Sequence, residues 1–149
     1  MKFIVIKDNF KKGLSLIDGV SGDNLNLPIL KNILIETEGG KIKLTATDLE
    51  ISISSFISGK IIETGKFTAP AGLLLNLINN IKDERLNIEV KSNKLEIKTD
   101  SYAAAIQGLP ADDFPITPKI KKQSESLEIK SEVLRDALNQ VLVPRVSPI

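Results

Sequence analysis

A short alternating strand followed by an amphipathic helix occurs three times in this chain of 149 residues. The apolar residues that mark the three strands are Phe3, Phe67 and Leu127, so the intervals between copies are 64 and 60 residues. A supersecondary unit that recurs at nearly equal spacing indicates internal duplication. The chain is therefore expected to be built from related units.

Each copy contains a helix whose apolar residues recur at helical spacing. The first helix is predicted at residues 10–20, after a polar break at residues 7–9. The second is predicted at residues 71–81, where Pro70 opens the helix. The third has Ser131 as its predicted N-cap and ends before Pro144. The predicted buried stripes are Phe10, Leu14 and Ile17 in the first helix, Leu74, Leu77, Ile78 and Ile81 in the second, and Leu134, Leu138 and Val141 in the third.

Three alternating strands follow each of the first two helices. They are predicted at residues 29–37, 41–47 and 50–58, and again at 86–91, 94–99 and 102–108, with tight turns at Gly39-Gly40 and Ser92-Asn93. Two such strand-helix-three-strand units can cover their sheets with the two helices. This predicts an α+β domain with both helices on one side and antiparallel sheets on the other.

The third copy has a strand at residues 126–130 and a helix, but no strands after them. A linker containing Pro110, Pro115 and Pro118 precedes it, so residues 1–118 are predicted to form the first domain and residues 119–149 a linker and the truncated start of a second domain. Because no sheet of its own would cover the third helix, we expect this tail to pack on a neighbouring molecule, to be exchanged between two chains, or otherwise to be mobile.

The composition excludes several classes of function. The chain has no Cys and no His, so disulfides, thiolate catalysis, zinc fingers, Ser-His-Asp triads and imidazole acid-base chemistry are excluded. With 20 Lys and Arg against 19 Asp and Glu, the net charge of +1 does not by itself indicate nucleic-acid binding. No catalytic constellation is recognisable and no cofactor is expected.

The apolar segments are too short for targeting or membrane insertion. The stretch from Phe3 to Ile6 is shorter than the core of a signal peptide, and no apolar run approaches the roughly 20 residues of a membrane-spanning helix. The expected location is therefore the cytoplasm, with no membrane partner.

Three local sequences occur in order beside the Met-Lys-Phe start: LPILKN at residues 27–32, TATDLE at 45–50 and LPADDFP at 109–115. With the duplicated topology, they make the chain resemble the bacterial sliding clamp, the ring-shaped beta subunit of the replicative DNA polymerase, over residues 1 to about 142. The resemblance implies a non-enzymatic processivity factor whose subunits carry three such domains and close head to tail as a homodimer around double-stranded DNA. Polymerase and clamp loader would bind through parts absent from this chain.

The resemblance also implies which residues contact DNA. In the family the helices line the hole of the ring, and phosphate contacts carry no sequence preference. Asn24 lies where the family can present a basic side chain, so its neutrality weakens that contact. The candidate DNA-binding residues are Lys7, Lys11, Lys12, Asn24, Asn79 and Lys82.

The last strand of the second unit carries no charge and is poorly protected against edge pairing. In the family the corresponding strand pairs with the third domain of the other subunit, which is strand addition across an interface. Tyr102 and Ile106 share one face and are expected to present the larger side chains to that neighbour. The candidate subunit-interface residues are Lys94, Tyr102, Ala103, Ala104, Ala105, Ile106 and Gln107.

Two other functions are compatible with the residues. A small α+β domain could bind a metal or ligand through Asp48, Glu50 and Asp112, although Asp48 also has the sequence context of a turn residue. A general oligomerisation module without DNA is the other alternative. A divalent ion bound at the carboxylates would favour the first, and the absence of lysines from the helix side would favour the second.

Overall fold

A computed structural model of the chain describes residues 1–20, 27–116 and 127–142. The chain divides into two compact units, Met1–Thr117 and Pro118–Ile149. No helix in the described residues is long and apolar enough to cross a membrane.

The first unit contains nine strands and two α-helices among its described residues. In chain order they are β1 (Lys2–Ile6), α1 (Lys7–Ile17), β2 (Asn32–Glu38), β3 (Lys41–Thr47), β4 (Ser52–Ile57), β5 (Lys60–Glu63), β6 (Lys66–Pro70), α2 (Ala71–Asn80), β7 (Arg85–Lys91), β8 (Lys94–Lys98) and β9 (Ala103–Gln107). Short 3₁₀ helices lie at Asp18–Val20, Pro28–Lys31 and Ala111–Asp113.

The strands form two antiparallel sheets, ordered β5-β1-β7-β8-β9 and β4-β3-β2-β6. The opening strand of each repeat pairs with the other repeat: β1 lies beside β7, with Phe3 opposite Ile88, and β6 lies beside β2, with Phe67 opposite Ile35. The two repeats therefore exchange their first strands. Each complete sheet contains strands of both repeats, so the duplicated halves form one domain.

The two helices pack against each other, and α1 also packs on β3 and β4. The predicted apolar stripe of α1 is buried. In the predicted stripe of α2, Leu74 and Ile78 are buried and Leu77 is partly exposed. Ile81 is buried just beyond the end of α2. These residues meet the inner faces of both sheets in one continuous hydrophobic core. The predicted α+β fold with both helices on one side is thus confirmed.

The start of α1 differs from the prediction. Residues 7–9 form the first helical turn and no polar break separates β1 from α1, because the amide of Lys7 donates a hydrogen bond of 2.7 Å to the carbonyl of Glu84 and fixes the turn of the chain. Asp8 in this first turn suits the positive end of the helix dipole. The helix ends at Ile17 and continues as a 3₁₀ turn.

Three strand predictions also need correction. Residues 28–31 form a 3₁₀ helix begun by Pro28, because neighbouring Ile29 and Leu30 are both buried, which strand alternation does not allow. Strand β4 begins at Ser52, since the preceding turn extends to Ile51. Strand β5 was not predicted: it is only four residues long and is held by pairing with β1.

The first and third sequence motifs meet on the outer face of the sheet that contains β2. Ile29 and Leu30 pack against Phe114 in a second small core, with Leu34 of β2 beneath them. Thr68 of β6 links the same segments. Its hydroxyl accepts hydrogen bonds from Asn32 Nδ2 (3.1 Å) and from the amide of Leu109 (3.1 Å), and donates one to the carbonyl of Leu109 (2.6 Å). The two motifs therefore close the outside of the domain.

The second unit contains helix α3 (Ser131–Val141) among its described residues. Ser131 is the first helical residue and not the N-cap, which is Lys130 and makes no side-chain capping bond. Residues 127–130 form no strand, because no neighbouring strand is present among the described residues to pair with them. Leu134, Leu138 and Val141 are exposed, and what covers them stays a prediction.

Candidate nucleic-acid interface

The exposed side of α1 carries two of the predicted DNA-contacting lysines. Lys11 and Lys12 are exposed opposite the buried stripe, on the helix side of the domain. Neither makes an ion pair with any residue in the described part of the chain. Gly13 permits this helix to lie close to the sheet, because an added Cβ would come within 2.7 Å of Ile57 Cγ2. The packing of α1 therefore leaves both ammonium groups open to an anion.

Lys7 also makes a contact within the protein. It is partly buried, and its Nζ donates a hydrogen bond of 3.3 Å to the carbonyl of Ile81, at the C-terminal end of α2. A cation at that end complements the helix dipole. Lys7 therefore joins the start of α1 to the end of α2, a role that the sequence did not indicate because its partner is 74 residues away.

The exposed face of α2 is uncharged. Asn79 lies on it as predicted, together with Leu73 and Asn76, and Lys82 is exposed two residues beyond the helix. Leu73 and Asn76 were not predicted as interface residues, although their positions off the buried stripe indicate their exposure. The helix side thus presents Lys11 and Lys12 together with the acidic Asp8 on α1, and neutral side chains on α2. Asn24 lies outside the described residues.

Several lysines of the sheets are paired with carboxylates. Lys91 donates to Glu89 at 3.0 Å and Lys98 to Glu96 at 2.7 Å, and these hydrogen bonds hold the pKa values of both glutamates below their ordinary value. The other pairs are Lys2 with Glu89, Lys43 with Glu36 and Lys66 with Asp112. These sheet lysines therefore each have a carboxylate partner, whereas Lys11 and Lys12 have none within the described residues.

A polar cluster fixes the turn before β9. Asp83, which follows α2, accepts hydrogen bonds from Ser101 Oγ (2.6 Å) and Thr99 Oγ1 (2.5 Å). These hydrogen bonds lower the pKa of Asp83, and the one from Ser101 has the largest effect. The amide of Tyr102 donates to Thr99 Oγ1 at 2.9 Å. The start of the proposed interface strand is therefore held to the loop after α2.

Strand β9 is an edge strand whose two faces differ. Ala103, Ala105 and Gln107 are exposed on the outer face, and Lys94 lies opposite Gln107 at the rim. Ile106 is only 3% exposed because it pairs with Leu95 in the core, so it cannot present its side chain to a neighbour as predicted. Ala104 is partly exposed, and Tyr102, just before the strand, is 43% exposed.

The three acidic residues of the ligand-binding alternative do not form one site. Asp48 and Glu50 lie in the turn between β3 and β4, whereas Asp112 bonds Lys66 of β6, at the opposite edge of the same sheet. The carboxylate of Asp48 accepts hydrogen bonds from the amides of Glu50 (2.9 Å) and Ile51 (2.7 Å). No group of three metal-ligating side chains occurs within the described residues. The structure does not support this alternative.

We predict that the Asp48 turn makes a pH-dependent contribution to stability. The hydrogen bond from the amide of Ile51 is the main cause that lowers the pKa of Asp48 below 3.8. Because the pKa of Asp48 is lower in the folded state, its carboxylate stabilises the protein at pH values above 3.8. This stabilisation is lost as the pH falls through the lowered pKa. Asp48→Ala should therefore unfold at a lower urea concentration than wild type near neutral pH. This difference in unfolding midpoint should disappear at pH values well below 3.8.

Asp48→Asn is the control, because its amide oxygen can still accept the two hydrogen bonds but does not titrate. Its difference from wild type should be smaller than that of Asp48→Ala. A difference between Asp48→Ala and wild type that persisted unchanged at low pH would mean that the charged carboxylate does not stabilise the turn.

Paired helices on one face, interleaved sheets on the other and one uncharged edge strand in each sheet define a domain suited to being one segment of a larger sheet assembly. Comparison with known proteins agrees with this class. The family model of the DNA polymerase III beta subunit, N-terminal domain, matches residues 1–118. The chain therefore belongs to the family of bacterial DNA polymerase III beta subunits.

Individual relatives give the same result. The chain is 32% identical over 117 residues to the beta sliding clamp of Pseudomonas aeruginosa, covering 77% of this chain and 32% of that protein. It is 30% identical over 130 residues to the beta sliding clamp of Synechocystis, covering 81% and 33%. The chain thus spans about a third of the length of these relatives.

Solved structures match the fold closely. A DNA polymerase III beta subunit from Eubacterium rectale superimposes with a TM-score of 0.86 at 28% identity, over 94% of this chain and 38% of that one. The beta subunit of Pseudomonas aeruginosa gives 0.85 at 30% identity, over 93% and 38%.

Proposed function

We propose that this chain is part of a ring-shaped sliding clamp that tethers a replicative DNA polymerase to duplex DNA. The observation that carries the proposal is the match of its fold, over 94% of the chain, to a DNA polymerase III beta subunit. Encirclement of DNA needs no bond-making step, and the family acts without catalysis. Ring closure, the homodimer, and contacts with polymerase and clamp loader belong to the whole protein. Such a protein would act on the bacterial chromosome in the cytoplasm.

The DNA contacts are assigned to the helix side. Lys11 and Lys12 would approach phosphates, with Lys82 and Asn79 as further contacts, while Lys7 supports the geometry of the two helices. Phosphate contacts are independent of base sequence and weaken as salt rises. A surface with few cations on α1 and a neutral α2 would hold DNA weakly enough to permit sliding.

The subunit contact is assigned to the edge of β9. Its outer-facing alanines leave the backbone accessible, Tyr102 is exposed at its start, and Lys94 lies at the rim. Addition of a strand from a partner would satisfy the unpaired backbone groups of this edge and extend the sheet.

The DNA-binding assignment predicts the effect of reversing charge on α1. Lys11→Glu combined with Lys12→Glu should weaken binding of the full chain to duplex DNA, to the same degree for two unrelated sequences. The slope of log affinity against log salt should fall by about 0.9 for each phosphate that the variant no longer neutralises. Fluorescence anisotropy of labelled duplexes at several salt concentrations measures both quantities.

The matched control is Lys41→Glu combined with Lys60→Glu, which makes the same charge change at two exposed positions on the sheets. This variant should bind DNA more tightly than the helix variant. Equal reductions in affinity for the two variants would show that only net charge matters and that the helix side is no DNA surface.

A further inference from the structure

The exposed face of α2 carries three asparagines and no charged residue. The exposed residues of this helix are Gly72, Leu73, Asn76, Asn79 and Asn80. Charged residues make up 26% of the whole chain, and lysine, arginine and glutamate are all better helix formers than asparagine. Three asparagines in a helix of ten residues therefore cost helix stability. This cost indicates that the amide groups have a role other than forming the helix.

One of the three amide groups is used within the helix. Asn80 Nδ2 donates a hydrogen bond of 2.9 Å to the carbonyl of Asn76 and so supports the last turn of α2. The side chains of Asn76 and Asn79 make no hydrogen bond with any residue in the described part of the chain. These two positions are three residues apart and are therefore neighbours on one face of the helix. Both amide groups are available to an external partner.

The surroundings of these amide groups favour an anionic partner that has many acceptor oxygens. Helices α1 and α2 pack against each other, so the asparagines lie on the same side of the domain as Lys11 and Lys12. A side-chain amide carries two N–H donors and no net charge, and phosphate oxygens accept hydrogen bonds from such groups. A duplex held by Lys11 and Lys12 would therefore offer phosphate oxygens to Asn76 and Asn79.

We propose that Asn76 and Asn79 bind the phosphates of duplex DNA through uncharged hydrogen bonds, so that part of the DNA affinity does not depend on salt. A lysine that neutralises a phosphate releases counterions, and this release makes the affinity fall as salt rises. An amide neutralises no charge and so releases none. Helix α1 would supply the salt-dependent part of the affinity, and α2 would supply a salt-independent part.

This proposal rests on the DNA-binding function proposed above and goes beyond it in two respects. It adds Asn76 as a contact, and it assigns to α2 a chemistry different from that of α1. The exposed lysines of α1 attract DNA from a distance, whereas the amides of α2 act only within hydrogen-bonding distance.

Asn76→Ala combined with Asn79→Ala in the full chain tests the proposal. The affinity for duplex DNA should fall about fivefold, as expected for the loss of two modest hydrogen bonds. The factor should be the same at every salt concentration, so the slope of log affinity against log salt should not change. Fluorescence anisotropy of labelled duplexes measures both quantities. Because alanine favours helix, this variant should fold, and circular dichroism verifies it.

Asn80→Ala is the matched control, since Asn80 is exposed on the same helix but its amide is bonded to the carbonyl of Asn76. It should bind DNA as wild type does. Asn76→Lys combined with Asn79→Lys makes the opposite change. This variant should bind DNA more tightly than wild type, and the salt slope should steepen by about 0.9 for each phosphate that it newly neutralises.

Other outcomes would overturn the proposal. Wild-type affinity in the double alanine variant would show that α2 makes no contact with DNA, while the result for the lysine variants of α1 would still decide the DNA-binding function. A changed salt slope in that variant would show that the loss acts through charge. A loss confined to one of two unrelated duplexes would indicate that the amides bind base edges instead of phosphates. An equal loss in Asn80→Ala would indicate weakening of the helix. A wild-type chain that bound no duplex at any salt concentration would overturn the DNA-binding function as well.

Discussion

Replacing Gly108 with alanine is expected to lower the free energy of unfolding by about 3 kcal/mol or more, the upper end of the usual cost of overpacking. Gly108 is buried where the segment after β9 crosses β6. An added Cβ would lie 1.9 Å from the carbonyl oxygen of Thr68 and 2.5 Å from Cζ of Phe67. A contact this close to a backbone oxygen can be relieved only by a shift of β6 or of the segment after β9. A domain with a stability of about 5 to 15 kcal/mol would lose a large part of it.

Urea unfolding followed by circular dichroism measures the change, and Gly72→Ala is the matched control. Gly72 lies in α2 and has no heavy atom within 4 Å of the position of an added Cβ. Because alanine favours helix more than glycine, this control should be neutral or more stable by up to about 1 kcal/mol. If Gly108→Ala unfolded at the same urea concentration as wild type, the close approach of the two sheets would not contribute to stability.

Truncating Phe114 to alanine is expected to cost about 3 kcal/mol, the lower end of the range for a buried phenylalanine. Its ring packs with Ile29 and Leu30 on the outer face of the sheet and joins two of the three sequence motifs. The lower end applies because this core is small and can partly collapse into the space left by the ring. Urea unfolding measures the change in stability, together with proteolysis of the segment that contains Phe114, residues 109–115.

Asp112→Asn is the control for Phe114→Ala. Its ion pair with Lys66 is solvent-exposed, and exposed pairs contribute little to stability. We therefore expect the unfolding midpoint of Asp112→Asn to stay close to that of wild type. Equal destabilisation of the two variants would mean that the ion pair, rather than the apolar packing, holds the third motif on the sheet.

The local features of the fold could be predicted because their causes are local. The apolar spacing of Phe10, Leu14 and Ile17 identified the buried side of α1. Gly39 and Gly40 have φ values of 55° and 77°, which suits the hairpin predicted there. The side chain of Asp48 bonds amides two and three residues further along, as its turn context indicated.

Strand partnership could not be predicted in the same way. Alternation of apolar residues shows which side of a strand is buried, but not which strand lies beside it. The pairing of β1 with β7 and of β6 with β2 depends on interactions between distant parts of the chain. The same limit applies to β5, whose four residues form a strand only because β1 is available to pair with them.

The side chains of the candidate interfaces also fall into those whose exposure could be predicted from the sequence and those whose contacts could not. Helical periodicity was sufficient to place Lys11 and Lys12 on the exposed face of α1. The long-range hydrogen bond of Lys7 to the carbonyl of Ile81, and the burial of Ile106 against Leu95, were decided only when distant segments came together. The sequence alone thus determined the repeated units, their buried faces and their turns, because these follow from spacing within a few residues. The tertiary structure decided the exchange of strands and the freedom of each candidate side chain, because both depend on packing between residues far apart in the chain.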